Sequence, residues 1–571
     1  MGEYIIMKKI LFIIGLIVIS QTIGVSAFNI NVSSNNPITT SYNDDYDMVI
    51  VSKQAYNDTI QPLIAHKNFL GIQTFLKTTD EIYSNYPGRD NAEKIKYFLK
   101  DALENLEIKY VLLIGGASDI PGRYTHIYFD EPFYYPTPDE WVFTSDFYYA
   151  DIYDSEGAFS SWDTNENDVF AEHNWSGNTD EIDLVPDLYV GRLACKNLAQ
   201  VQTCVNKIIN YETEEFWAQN WFTNLILIAG DGIPFDEENV DESEYLQEFI
   251  IENMSNFIPN CLWASNGGLS DAYNINDAIN DGAGFVFFNG HGSHDLWATY
   301  LHNSWILVPP GYYRTFHIDQ LTNIDALPIV ISDACHHLQY DVYHDCFGWS
   351  FVSNPDGGAI AFIGGSDVDL AYPGTRIVEK GIEKLCLKIS MLYQSGITNL
   401  GDLWGNGLIE YQPGEDDTID LLTILQNHLI GDPSLQIASS SSHPPEKPNP
   451  PQGPTQGTIN EPYDYKAVTT DPDNDELYYL FDWGDDSAVE WSGPYDSGEE
   501  CMVSHTWEKQ GIYSVKVKAK DEHGVQSEWS DPLSVSIPRS KSIVKTMFHG
   551  FIEQYPFLEV LLKIIFRTYN L

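Results

Sequence analysis

The sequence predicts an α/β body of two consecutive parallel-sheet subdomains, followed by a small all-β sandwich. Three observations predict it. Apolar runs alternate with helix-periodic segments from Tyr46 to about residue 437, the pattern of parallel strands covered by helices on both faces. A serine- and proline-rich stretch, 438–457, then breaks the alternation and reads as an extended linker. Beyond it the hydrophobic period becomes two, as in half-buried antiparallel strands. With 571 residues and 43% hydrophobic content, the chain has enough apolar material for several cores, which excludes wholesale disorder.

The elements follow in order. Residues 1–27 read as an export signal. Lys8 and Lys9 precede an apolar run over 10–19, and Val25-Ser26-Ala27 is a small-residue cleavage site. Residues 28–43 are polar and expected to be flexible. The first α/β subdomain, 44–215, has strands expected at 48–51 and 110–116 and helices at 92–106 and 201–212. The second, 216–437, has strands expected at 225–230, 284–288, 328–331 and 359–363, and a helix at 242–254. The sandwich covers 458–538, with alternating strands near 478–483 and 513–519. The tail, 539–571, holds five basic and two acidic residues. There Glu559, Lys563 and Arg567 make one polar stripe amid Leu558, Val560, Leu561, Ile564 and Ile565. That is an amphipathic helix too short and too charged to span a bilayer, suited to membrane or cell-surface contact.

Charge and cysteine content narrow the partners. Against 30 Lys+Arg stand 83 Asp+Glu, a net charge of −53. Phosphate backbones would repel such a chain, so no nucleic-acid partner is expected. Seven cysteines are too few for a disulfide scaffold, their odd number leaves at least one without an internal partner, and no CxxC pair is present. The expected location is secreted or extracellular, with surface attachment through the tail.

The chemistry concentrates at two strand ends. One reads Phe287-Phe288-Asn289-Gly290-His291-Gly292-Ser293, the other Ile331-Ser332-Asp333-Ala334-Cys335. Carboxyl ends of parallel strands are where α/β folds build sites. A nucleophilic thiol needs an imidazole, either to hold the thiolate or to protonate the departing amine. Glycines on both sides of His291 clear space for a ligand. His291 lies 44 residues before Cys335, close to the separation of caspase-type enzymes. A second reading takes His291, His294, Cys335, His336 and His337 as zinc ligands. Elsewhere, Asp163, Asn165, Asn167 and Asp168 set oxygens at close spacing with Glu172 after them. This is the pattern of a structural calcium loop, lacking its sixth-position glycine and with its Glu two places early.

These boxes resemble the gingipain-type cysteine peptidases of the caspase-like clan. The resemblance extends to Ser145-Asp146-Phe147-Tyr148, Asp183-Leu184-Val185-Pro186-Asp187, Gly191-Arg192, Phe347-Gly348-Trp349 and Gly431-Asp432-Pro433-Ser434. It implies a caspase-like fold and a cysteine endopeptidase acting on protein or peptide substrates, with no cofactor for catalysis. Residue by residue, it implies Cys335 as nucleophile and His291 as general acid/base. The amides of Gly292 and Cys335 become oxyanion donors, and Asp183 or Asp146 orients His291 or lines an S1 pocket for Arg or Lys. Cys335 departs from the family pattern in being followed by His336-His337 rather than by a small or glycine-containing turn. The alternative functions are an inactive surface or binding protein on the same fold, or a metal-binding protein using the His/Cys cluster. Asp482-Trp483-Gly484-Asp485 and His505-Thr506-Trp507 with Gly511-Ile512-Tyr513 resemble the PKD β-sandwich, which implies a non-catalytic spacer or adhesion module.

Overall fold

The computed structural model describes residues 46–129, 139–213, 220–411, 418–437, 445–472, 475–485, 487, 491–522 and 526–538. The expected export signal, the 28–43 segment, linker residues 438–444 and the amphipathic tail lie outside them.

Short β-branched and aliphatic runs make the strands. Met48–Ser52, Tyr110–Ile114 and Ile329–Asp333 are buried at every position, as expected for strands covered on both faces. Ten strands join in one sheet, with the half-buried Thr74–Thr78 and the more exposed Ile258–Trp263 at its edges. Their order is Thr74–Thr78, Met48–Ser52, Tyr110–Ile114, Tyr189–Leu193, Asn427–Ile430, Ala361–Gly365, Ile329–Asp333, Phe285–Asn289, Asn224–Ala229 and Ile258–Trp263. Neighbours are parallel except Ala361–Gly365 against Asn427–Ile430. The sheet therefore has two halves that run in opposite directions, and Asn427–Ile430, although it comes from the second expected subdomain, runs with the strands of the first. It joins them at Ile430 opposite Arg192.

Helices between the strands start where the sequence supplies caps. Asp90 accepts from the Glu93 N–H at 2.9 Å ahead of Asn91–Leu106, and Asn197 accepts from the Gln200 N–H at 3.0 Å ahead of Leu198–Tyr211.

The junction explains two glycine boxes. A Cβ on Gly191 would lie 2.4 Å from the Gly431 carbonyl oxygen, so the backbones of the two expected subdomains approach closely only without a side chain there. The next residue after that carbonyl, Asp432, shares the fully buried Lys67 ammonium with Glu212, at 2.8 and 2.7 Å. Burial opposes charge on Lys67, but the two carboxylates raise its pKa above the ordinary value. The Gly-Asp-Pro-Ser box is thus an interior clamp.

The sandwich has a two-stranded sheet, Tyr463–Ala467 with Cys501–His505, and a four-stranded sheet ordered Trp491–Tyr495, Leu477–Asp482, Gly511–Asp521, Leu533–Ile537. Trp507, Trp483, Tyr465, Val515, Val517 and Val535 are buried in its own core. The second half of the expected linker belongs to this domain. Gln452 and Lys466 exchange backbone hydrogen bonds at 2.8 and 2.9 Å, and the Tyr465 hydroxyl donates to the Pro454 carbonyl. Proline is compatible with such an edge because it needs no inward N–H.

Candidate active site

Phe285–Asn289 and Ile329–Asp333 are adjacent parallel strands, with Asn289 opposite Asp333. Their carboxyl ends open at the same edge of the sheet, so the His291 and Cys335 turns emerge side by side. The Gly290 N–H donates to the Asp333 carbonyl at 3.0 Å and ties the turns together. Gly292 is a close-approach position. A Cβ there would lie 2.6 Å from both the Cys335 carbonyl oxygen and His337 Nε2. A side chain at 292 would force the two turns apart.

His291 places Nε2 2.7 Å from the Gly232 carbonyl, and its ring meets Tyr300 edge-on at 5.1 Å. A carbonyl only accepts, so Nε2 carries the proton and Nδ1 is the basic nitrogen. The Cys335 thiol points to the Asp369 carbonyl at 3.8 Å. Thiol and imidazole thus each face a carbonyl. The Cys335 N–H donates to no backbone carbonyl among the described residues. His336, the next residue, takes a left-handed φ of 62°, a conformation that histidine adopts more readily than most side chains.

Desolvation sets the proton positions. Atoms packed around the ring lower the His291 pKa although the residue keeps an exposed edge, with the Gly232 contact opposing in part. Burial, then the nearby Asp369 charge, pushes the Cys335 thiol up to about 12. At neutral pH the resting pair is therefore a thiol and a neutral imidazole. The alkylation rate of Cys335 by iodoacetamide, followed on its peptide by mass spectrometry, is expected to climb continuously from pH 7 to beyond about pH 9, because only the thiolate reacts. A plateau already reached at pH 7 would show a preformed ion pair instead.

The zinc reading of the same residues fails on geometry. His337 is buried, with Nδ1 2.7 Å from the Ser332 hydroxyl and Nε2 3.0 Å from the Leu296 carbonyl, so both nitrogens are engaged. His294 stacks on Tyr343 at 3.7 Å, and His336 turns to Asp367 at 3.5 Å. Among the described residues these side chains do not converge on a common point.

The two expected orienting carboxylates are elsewhere. Asp146 is buried and receives Arg192 Nε at 2.6 Å, Arg192 Nη2 at 2.7 Å and the Tyr340 hydroxyl at 3.0 Å. The histidine beside it is His428, at 3.8 Å. Its carboxylate is thus committed to a buried guanidinium rather than to His291. Asp183 accepts from the Val185 N–H of its own turn at 3.1 Å and has no contact with His291 among the described residues. The segment that holds His291 is Asp231-Gly232, just past the strand Asn224–Ala229. Its one sequence signal was Gly230-Asp231-Gly232 at the carboxyl end of an apolar strand.

In the 163–172 loop, Arg89 binds Asp163 and reaches Asp168 at 3.2 Å. The side-chain amides of Asn165 and Asn167 both donate to Glu172 at 2.8 Å. Arg89 thus supplies a positive charge beside two of the five expected calcium ligands.

Comparison with known proteins adds to this geometry. The sequence model of peptidase family C25 matches residues 41–438, and that of the PKD domain matches residues 451–531. Gingipain R1 of Porphyromonas gingivalis is 24% identical over 447 residues, which covers 76% of this chain and 38% of that protein. Gingipain R2 of P. gingivalis strain W83 is 24% identical over 404 residues, 68% of this chain and 46% of that protein. This chain thus spans under half the length of these relatives. Among solved structures, the Arg-specific cysteine proteinase gingipain R (RGPB) aligns with a TM-score of 0.56 at 18% identity, over 86% of this chain and 98% of that one. The complex of P. gingivalis RgpB pro- and mature domains gives the same TM-score and identity, over 86% and 100%. At that identity the likeness is one of fold.

Proposed function

The chain belongs to peptidase family C25 and carries a C-terminal PKD domain, and from that premise we propose that it is a cysteine endopeptidase with Cys335 as nucleophile and His291 as general acid/base. The observation that carries the proposal is the pairing of Asn289 with Asp333 and the packing of Gly292 on the Cys335 carbonyl, which bring the two turns to one edge of the sheet.

The proton balance starts from the neutral pair. Substrate binding first draws Sγ and the imidazole off their carbonyl partners, as catalytic contacts often tighten only in the complex. Sγ attacks the scissile carbonyl carbon while His291 Nδ1 takes the thiol proton. The new oxyanion lies against the N–H groups of Gly292 and Cys335. Its collapse breaks the C–N bond, and His291 returns the proton to the leaving amine. Water, deprotonated by the same imidazole, then cleaves the thioester and restores the thiol.

A basic P1 preference is the finer part of the proposal, supported by the Arg-specific designation of gingipain R and by the name of Lys-gingipain W83 of P. gingivalis, 24% identical over 192 residues. Thiol-reactive peptide probes with Arg, Lys or Asp at P1 test both parts. Labelling of the wild type by the Arg or Lys probe, absent in Cys335→Ala, is expected. Preferential labelling by the Asp probe would remove the basic preference, and no Cys335-dependent labelling by any probe would remove the enzyme reading. Export and surface attachment belong to the same proposal, supported by the basic and apolar leader and the amphipathic tail. Among the described residues no helix is long and apolar enough to cross a membrane.

A further inference from the structure

A second cluster of ligand-type side chains adjoins the site, and the peptidase reading leaves it unused. Asp231 follows the strand Asn224–Ala229, Asp241 precedes the helix Glu242–Asn253, and His302 lies between the strands Leu296–Tyr300 and Leu307–Arg314. One ligand atom from each lies within 4.8 Å of the other two, the only such group among the described residues. His302 Nδ1 is 2.7 Å from Asp241 Oδ1, and 47% of the His302 side chain is exposed, so the cluster opens to solvent.

Asp231 gives the cluster its meaning. It is only 2% exposed and is fixed from behind, where the Asn303 N–H donates to Oδ2 at 2.8 Å. Its Oδ1 is buried, and the side chain that hydrogen-bonds the Asp231 carboxylate is another acid, Glu242. Two buried carboxyl groups in contact, with the Asp241 carboxylate close by, are costly unless a proton or a cation compensates them. Glu242 adds a third acidic side chain in contact with Asp231, but its oxygens are held by backbone N–H groups, Oε2 by Gly232 and Ile233 and Oε1 by Gly374. Asp231, Asp241 and His302 thus remain as the ligand set.

We propose that Asp231, Asp241 and His302 form a binding site for a divalent transition metal, with zinc as the preferred ion. Two carboxylates and one imidazole are a three-residue set that leaves a further coordination position open. The imidazole nitrogen selects against calcium and magnesium, which take oxygen ligands. The position also couples the site to the catalytic turn. Asp231 exchanges backbone hydrogen bonds with Tyr300, whose ring packs on His291, and the neighbouring Gly232 carbonyl receives His291 Nε2. A metal on Asp231 therefore braces the segment that holds His291. This effect on activity rests on the peptidase reading; the binding itself does not.

Calorimetric titration of the full chain with zinc and with calcium chloride tests the site. The Cys335→Ala background removes the active-site thiol as a competing zinc ligand. One zinc per chain is expected, with affinity falling at least about tenfold on adding either His302→Ala or Asp241→Asn. Unchanged metal-free thermal midpoints exclude misfolding as the cause. Equal zinc affinity in all three proteins, no zinc binding, or displacement of zinc by equimolar calcium would overturn the proposal. Probe labelling of the wild type is read separately, so zinc binding without labelling would fail the peptidase reading alone.

Discussion

Cys335→Ala is expected to lower kcat/KM on a cleavable peptide by about 10⁴- to 10⁶-fold while leaving the thermal midpoint in place. The size follows from covalent chemistry, since without Sγ no thioester forms and water must attack the amide directly. The fold tolerates the change because the sulfur makes one long contact, 3.8 Å to the Asp369 carbonyl. His291→Ala is expected to cost a similar factor, and the double variant little more than either single one, because nucleophile and base act as one unit. Steady-state rates of the purified variants check this. Residual activity within tenfold of wild type in Cys335→Ala would assign the chemistry elsewhere.

Arg192→Ala is expected to cost about 3–5 kcal/mol of stability, the usual result of leaving one buried charge without its partner. Arg192 is fully buried, and besides its fork to Asp146 it donates to the Gly115 and Ile120 carbonyls at 2.9 and 3.0 Å. Arg192→Lys is expected to rescue little, because a point charge cannot reproduce that fork. The loss reaches the catalytic turn, since the Tyr340 hydroxyl, five residues beyond Cys335, donates to the same Asp146 carboxylate. The pair also sets a pH dependence. Burial would raise the Asp146 pKa, but the Arg192 charge overrides it and holds the group below its ordinary value. A depressed carboxyl pKa means the contribution is present above the unfolded-state pKa of about 4. It fades as pH falls from there through the folded-state value. Wild type and Arg192→Ala should therefore differ most in denaturant midpoint at neutral pH and converge in acid. A constant difference down to pH 2 would assign the stability to packing.

The fold was legible because it rests on local periodicity. The apolar runs 225–230, 284–288 and 328–331 were visible as buried strands, and the structure moves their ends by one or two residues. The helix expected at 92–106 begins at Asn91 because Asp90 caps it. The His and Cys boxes were legible for the same reason, since each sits at the end of such a strand. What periodicity could not report was the junction. Two expected subdomains prove to share one sheet, with Asn427–Ile430 of the second running among the strands of the first, because strand order depends on contacts such as Gly191 against Gly431 that are distant in sequence.

The sequence by itself determined an α/β body with a β-sandwich behind it, and Cys335 and His291 as the reactive pair to examine. Only the tertiary structure decided which acids stand near them. Asp146 and Asp183 lie in conspicuous motifs, yet one neutralises buried Arg192 and the other caps its own turn. Asp231 lies in a short glycine turn with little signal, yet its segment holds His291. The reason is physical. A side chain's chemistry is written in its residue type, but its electrostatic partner is set by chain packing across tens to hundreds of residues, which no local pattern encodes.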